Sequence, residues 1–184
     1  MLTLFHDYTS PASAVAVARL QRLIDGGATA AILGTEAIGV ATVLPVTLDL
    51  LAELEAVADD AAAEGLDLRR PPNIPPTAAA HLVEDVAGGH GLAAAWRRRC
   101  YDAYWTHGTD IAAPDVLRTL ASEVGLPADE VARTLDDRVA LAALRRRFAD
   151  HRRNGIGGVP TISYDGTLVP GLLDVDDLQT LTAL

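Results

Sequence analysis

Leu2 to His6 is a short, mainly apolar run that predicts a strand. Thr9-Ser10-Pro11 then reads as a helix cap with proline at the first helical position. Behind it Val15, Ala16, Leu20, Leu23 and Ile24 recur at helical spacing until Gly26-Gly27 stops the pattern. Thr29 to Leu33 is the next predicted strand, which makes the opening a βαβ unit with parallel strands and a right-handed crossover. From Asp49, the positions Leu51, Leu54, Val57, Ala58 and Ala61 mark a second helix that ends near Gly65.

Arg69 to Pro76 holds four prolines, which remove backbone donors and fix φ, so it reads as a linker. Beyond it the periodicity is helical down to Asn154-Gly155, and Gly88-Gly89, Gly108, Pro114 and Gly125 divide it into four or five short helices. Thr77 is placed to cap the first. The last, Asp137 to Asn154, sets Leu141, Leu144 and Phe148 on one face and Arg145-Arg146-Arg147 across the other. Val159 to Tyr164 turns β-like, Asp165-Gly166 is a hairpin signal leading into Thr167-Leu168-Val169, and Val175, Leu178 and Leu181 give a final helix. The pattern therefore predicts an α/β protein of thioredoxin layout. A βαβ half and a ββα half (1–68 and 155–184) form the sheet domain, and an all-helical insertion spans 69–154.

The 184 residues are 49% hydrophobic and 22% charged, enough apolar material for a sizeable core. The formal charge of -10, with arginine as the sole basic side chain besides histidine, argues against nucleic acid and anionic membranes as partners. Gly26 to Leu48 carries only Glu36 as a charge, but its glycines, Pro45 and lack of aromatic anchors favour a buried strand plus loop over a membrane span. The amino terminus has no basic stretch followed by a long apolar one, so the expected address is cytoplasmic. Cys100 is the single cysteine; it excludes an intrachain disulfide and a Cys-x-x-Cys redox or zinc motif. Its neighbours Trp96 and Trp105 suggest packing over reactivity. His81, His90, His107 and His151 share no metal-ligand spacing, and no metal is expected. The runs Arg97-Arg98-Arg99 and Arg145-Arg146-Arg147 read as solvated helix faces.

Two motifs add a family resemblance. Gly155-Ile156-Gly157-Gly158-Val159-Pro160-Thr161 resembles the cis-proline loop of DsbA-like proteins, and Thr9-Ser10-Pro11-Ala12-Ser13 lies where that family has its active-site turn. Asn73, Thr77, Ala80-His81-Leu82, Tyr101 to Trp105, Gly108, Asp110-Ile111, Val116-Leu117 and Gly125-Leu126 are similar to the helical insertion of the cytoplasmic, polyketide-associated DsbA-like subgroup. The departure is chemical: Ser10-Pro11-Ala12-Ser13 replaces Cys-Pro-x-Cys. Thiol–disulfide exchange needs a thiolate attacking sulfur, so the chain by itself has no dithiol cycle.

Ser-Pro-x-Ser in this turn resembles the kappa-class glutathione transferases and the 2-hydroxychromene-2-carboxylate isomerases. That resemblance implies a glutathione or mycothiol-like thiol cofactor, with Ser10 donating to its sulfur. Val159, before a cis Pro160, would pair by its backbone with the cofactor's peptide-like part. The implied reaction is isomerisation or thiol transfer on a small organic substrate. The alternative is a DsbA-like module without catalysis that binds a peptide or partner along the cis-proline loop. Whether two chains pair as a homodimer is left open.

Each polar candidate also has a plain structural reading. Ser10 is equally well a bare helix cap, and Ser13 a tolerated small residue. His6, Asp7 and Tyr8 either line the mouth of the site or form a strand-end polar group. Glu36, alone among apolar residues, has a raised pKa if buried, or else faces solvent.

Overall fold

The computed structural model describes residues 1–183. Its sheet has four strands, β1 (Leu2–His6), β2 (Ala30–Gly34), β3 (Thr161–Tyr164) and β4 (Thr167–Pro170), in the order β2-β1-β3-β4. β1 and β2 are parallel; the β1–β3 and β3–β4 pairs are antiparallel. Helix α1 (Pro11–Asp25) makes the crossover, as the apolar spacing behind Pro11 predicts. β3 and β4 join through Asp165 and Gly166, whose φ values of 47° and 81° are those a tight hairpin turn of primed type demands.

The predicted second helix is two: α2 (Leu48–Ala56), capped by the Thr47 hydroxyl on Leu50 N–H, and α3 (Ala58–Ala63), with Val57 at the break. Five α-helices follow, α4 (Ala78–Gly89), α5 (Ala93–Tyr101), α6 (Pro114–Glu123), α7 (Ala128–Asp136) and α8 (Arg138–Arg153). A π-helical stretch, Asp102–Thr106, continues α5. α9 (Val175–Ala183) closes the described chain. None of the described helices is long and apolar enough to cross a membrane.

Three sequence readings need correction. Gly26 to Leu48 is a strand followed by a loop, but the strand is only partly buried: β2 is an edge strand with Ile32 and Gly34 inward and Leu33 outward, and Ile38, Val40, Val43 and Leu48 in and after the loop are exposed. The Thr77 hydroxyl does not cap α4; the Glu36 carboxylate reaches across and accepts from Ala78 N–H at 3.2 Å. Arg97 is not a solvated arginine but is buried, because on α5 it shares a face with Cys100 and Tyr101 at the helical three- and four-residue spacing.

One core joins the sheet to the helices. Leu2, Leu4, Val17 and Leu20 from the βαβ half belong to the same buried cluster as Val83, Trp96, Tyr104, Trp105, Leu117 and Val131. A smaller cluster, Ala78, Leu82, Leu144 and Phe148, seats α8 against α4. At the carboxyl end of β1 the packing becomes polar.

Candidate functional site

The turn that leaves β1 is built around α1's amino terminus. Ser10 is extended (φ -97°, ψ 120°), and its Oγ accepts from Ser13 N–H at 3.1 Å, which satisfies one of the helix's unpaired donors. Pro11 supplies no donor at the first helical position, where none is needed. The Ser10 hydroxyl proton is also used: it donates to Glu53 Oε1 of α2 at 3.1 Å. Ser13 is fully buried, and its Oγ accepts from Asp7 N–H at 3.4 Å.

β3 brings the second part of the site to the same edge. Phe5 stands opposite Thr161 in the antiparallel ladder, so the residues before Thr161 lie beside those after Phe5. The Val159–Pro160 peptide bond is cis. Pro160 C=O accepts from Gly171 N–H at 2.8 Å, and Thr161 Oγ1 donates to Gly158 C=O at 2.7 Å. Among the described residues the Val159 backbone makes no hydrogen bond.

Beneath the turn lies a buried network that spacing alone does not reveal. The Glu84 carboxylate of α4 accepts four hydrogen bonds, which fills its lone-pair positions. Oε1 takes His6 Nε2–H at 3.1 Å and Arg97 Nη1–H at 3.0 Å; Oε2 takes the Tyr8 hydroxyl at 2.8 Å and His81 Nδ1–H at 3.1 Å. The other face of His81 meets Asp7: Nε2 lies 3.4 Å from Oδ1, an ion-pair contact too poorly aligned for a hydrogen bond. Asp7 Oδ2 accepts from Ala37 N–H at 2.7 Å and from the Thr9 hydroxyl at 3.3 Å. The helical segment also fixes the turn's main chain, since the Tyr101 hydroxyl donates to Asp7 C=O at 3.1 Å and Trp105 Nε1–H to Tyr8 C=O at 3.0 Å.

The charges in this network close on zero. Burial disfavours the His81 imidazolium, but the carboxylates of Asp7 and Glu84 on either side outweigh it and push the pKa up to about 9. Burial would raise both carboxyls, yet Asp7 is held below its ordinary value by His81 and Ala37 N–H, and Glu84 well below it by His6 and His81. Burial pushes His6 down despite Glu84. A neutral His6 that donates from Nε2 to Glu84 accepts at Nδ1 from the Tyr101 hydroxyl 2.9 Å away, so that one proton has two acceptors within reach. Near neutral pH two anions, Asp7 and Glu84, thus face two cations, His81 and Arg97.

His6 and Tyr8 are corrected by this arrangement. Both are fully buried and turn inward to Glu84, and neither lines the mouth. Asp7 does border an opening. A crevice of about 10 Å³, room for about one water, lies among Asp7, Thr9, Glu36, Ile38, Ile74 and Thr77. The Leu44–Ile74 bridge, with paired 2.9 Å backbone bonds, closes its outer wall. Glu36 is half-buried there, and burial together with Asp7 raises its pKa. A larger open hollow of about 590 Å³ lies along α8, between Arg138 and Ala149, and shares no lining residue with the crevice. Cys100 is wholly buried, and burial, then Glu84, pushes its thiol well up, which is the profile of a packed and unreactive cysteine.

His6, His81 and Glu84 hold ligating atoms within 4.8 Å of one another, a grouping that no spacing among the sequence's histidines discloses. As a cation site it fits poorly. Arg97 already places a positive charge on the same carboxylate, and the ring nitrogens facing Glu84 are engaged as donors to it.

An interrupted βαβ–ββα sheet, a helix capped by the first residue of Ser-Pro-x-Ser, and a cis-proline loop at the same sheet edge define a thioredoxin-fold protein with a cysteine-free turn. The chain belongs to the DSBA-like thioredoxin domain family, which it matches over residues 1–183. No curated protein matches it. Among solved structures it is similar to a probable DsbA oxidoreductase from Streptomyces coelicolor (22% identity, 99% of this chain and 88% of that one, TM-score 0.84). It is also similar to a 2-hydroxychromene-2-carboxylate isomerase (21%, 99% and 92%, TM-score 0.78). A third relative is the cytosolic disulfide reductase DsbM from Pseudomonas aeruginosa with GSH (23%, 97% and 95%, TM-score 0.71). At these identities the likeness is one of fold.

Proposed function

We propose that the protein binds a low-molecular-weight thiol, of glutathione or mycothiol type, at the Ser10 turn and uses it to isomerise or transfer a small organic substrate. One observation carries this reading: a serine hydroxyl, not a thiol, caps α1 at the sheet edge that also carries the Val159–Pro160 loop. The chain cannot cycle a disulfide with its single cysteine, so any sulfur chemistry at this edge uses sulfur brought by a ligand. The helix amino terminus favours an anion by roughly 0.3–1 kcal/mol, and the unpaired Val159 backbone suits an extended, peptide-like ligand. A relative of the same fold carries GSH in its structure, and another is an isomerase. A cytoplasmic setting, where such thiols stay reduced, agrees with this use.

The unpaired Val159 backbone also favours a second reading, a module that takes an extended peptide without catalysis. Calorimetric titration with glutathione and with mycothiol separates the two. Binding that is lost in Ser10→Ala, while the variant still folds, supports the thiol reading. No heat with either thiol at millimolar concentration refutes it and leaves the peptide module.

A further inference from the structure

The Ser10 hydroxyl has one proton, and that proton goes to Glu53. Its oxygen in turn accepts from Ser13 N–H. A sulfur anion docking at the α1 amino terminus needs the same proton and the same surroundings, so it meets a carboxylate already seated there. We propose that Glu53 is the specificity-determining residue of this site: its carboxylate occupies the anion position at the α1 amino terminus, and a thiolate docks only once Glu53 is displaced or neutralised.

The contact is built into the fold. Glu53 lies on the face of α2 that packs toward α1, one turn after Leu50, which is buried in the main core, and one turn before Val57, which packs with Ala12 and Val15 of α1. Thr47 caps α2 and fixes its start. The α2 packing therefore delivers a carboxylate to Ser10 with no large rearrangement of either helix. A like charge at hydrogen-bond range disfavours a second anion, so with Glu53 in place this turn holds a thiolate less tightly than a bare helix terminus would, and it favours ligands that bring a proton or a positive charge to Glu53.

This inference rests on the thiol reading for its biological ligand, but its test does not. Ser10→Cys places a sulfur at the turn, and the thiolate absorbance near 240 nm follows its titration. Cys100 stays silent because it is buried and its thiol is pushed well up. The same titration is repeated in Ser10→Cys/Glu53→Gln, which keeps the shape and an acceptor and removes the charge. The expected result is a thiol pKa lower by about one unit in the double variant. Equal values in the two proteins overturn the proposal, and so does a higher value in the double variant. A second arm titrates glutathione and S-methylglutathione into the otherwise unaltered protein and into Glu53→Gln. Tighter binding of glutathione alone, by about tenfold, is the one-unit effect seen through the ligand. If neither protein binds glutathione, the proposed function fails while the pKa pair still decides the role of Glu53. Matching melting temperatures of the Ser10→Cys pair exclude a folding defect as the cause.

Discussion

Raising the pH from 6.5 to 9 should strip stability from this protein through one side chain, His81. Unfolded, its imidazole loses its proton near 6.5; folded between Asp7 and Glu84, it keeps it to about 9. Between those values the native chain binds about one proton more than the unfolded chain, so stability falls as pH rises. At roughly 1.4 kcal/mol per pKa unit the gap amounts to about 3 kcal/mol, present in full below 6.5 and gone above about 9. The other histidines with a resolved shift, His6 and His151, are lowered, so their effects fall below pH 6.5 and not in this window. The assay is urea unfolding at half-unit steps from pH 6 to 9, with His81→Gln as the control. The unaltered protein should lose about 3 kcal/mol across the range, and the control much less. The difference in slope isolates His81 from Cys100, whose own effect begins near the top of the range in both proteins. Parallel slopes would show that the Asp7–His81–Glu84 contacts do not hold a proton, and the charge balance drawn for the network would be wrong.

Glu84→Ala leaves Arg97 and His81 buried without their shared carboxylate and should cost about 3–5 kcal/mol in urea unfolding at pH 6.5; a loss below about 1 kcal/mol would refute the network's role as a charge-paired unit. Gly34→Ala places a methyl 2.7 Å from Cε1 of the fully buried His81 ring, which has no room to withdraw. A loss of about 1–3 kcal/mol or more is expected, and an unchanged melting temperature would contradict that packing. Cys100 should resist dithionitrobenzoate in the native protein and react promptly in 6 M guanidinium, so rapid labelling under native conditions would show the α5 face to be open.

The sheet, α1 and the hairpin were legible because each announces itself locally: Ser10-Pro11 before an apolar period, Asp165-Gly166 between two short runs, and Gly26-Gly27 at a helix end. The buried network was not, because it joins distant segments: Tyr8 and Glu84 are 76 residues apart, and His6 and Tyr101 are 95 apart. A faint signal did exist. His81 and Glu84 are three residues apart on the face of α4 that also carries the buried residues Ala80, Val83 and Ala87, and two polar groups on an apolar stripe ask for partners. Arg97 was masked by its two arginine neighbours, which made an inward residue look like part of an outward run. Glu53 gave no warning at all, since one glutamate on an acidic helix is unremarkable until the helix is docked. The edge position of β2 likewise depends on strand order, which no single segment encodes.

The carboxylate that accepts from both buried histidines comes from α4 and its guanidinium partner from α5, while the histidines themselves are divided between β1 and α4. Neither half of the molecule is electrically complete by itself. Excising the helices to obtain a minimal scaffold would strand His6 and Asp7, and grafting in a relative's helices would succeed only if the graft carried equivalents of His81, Glu84 and Arg97.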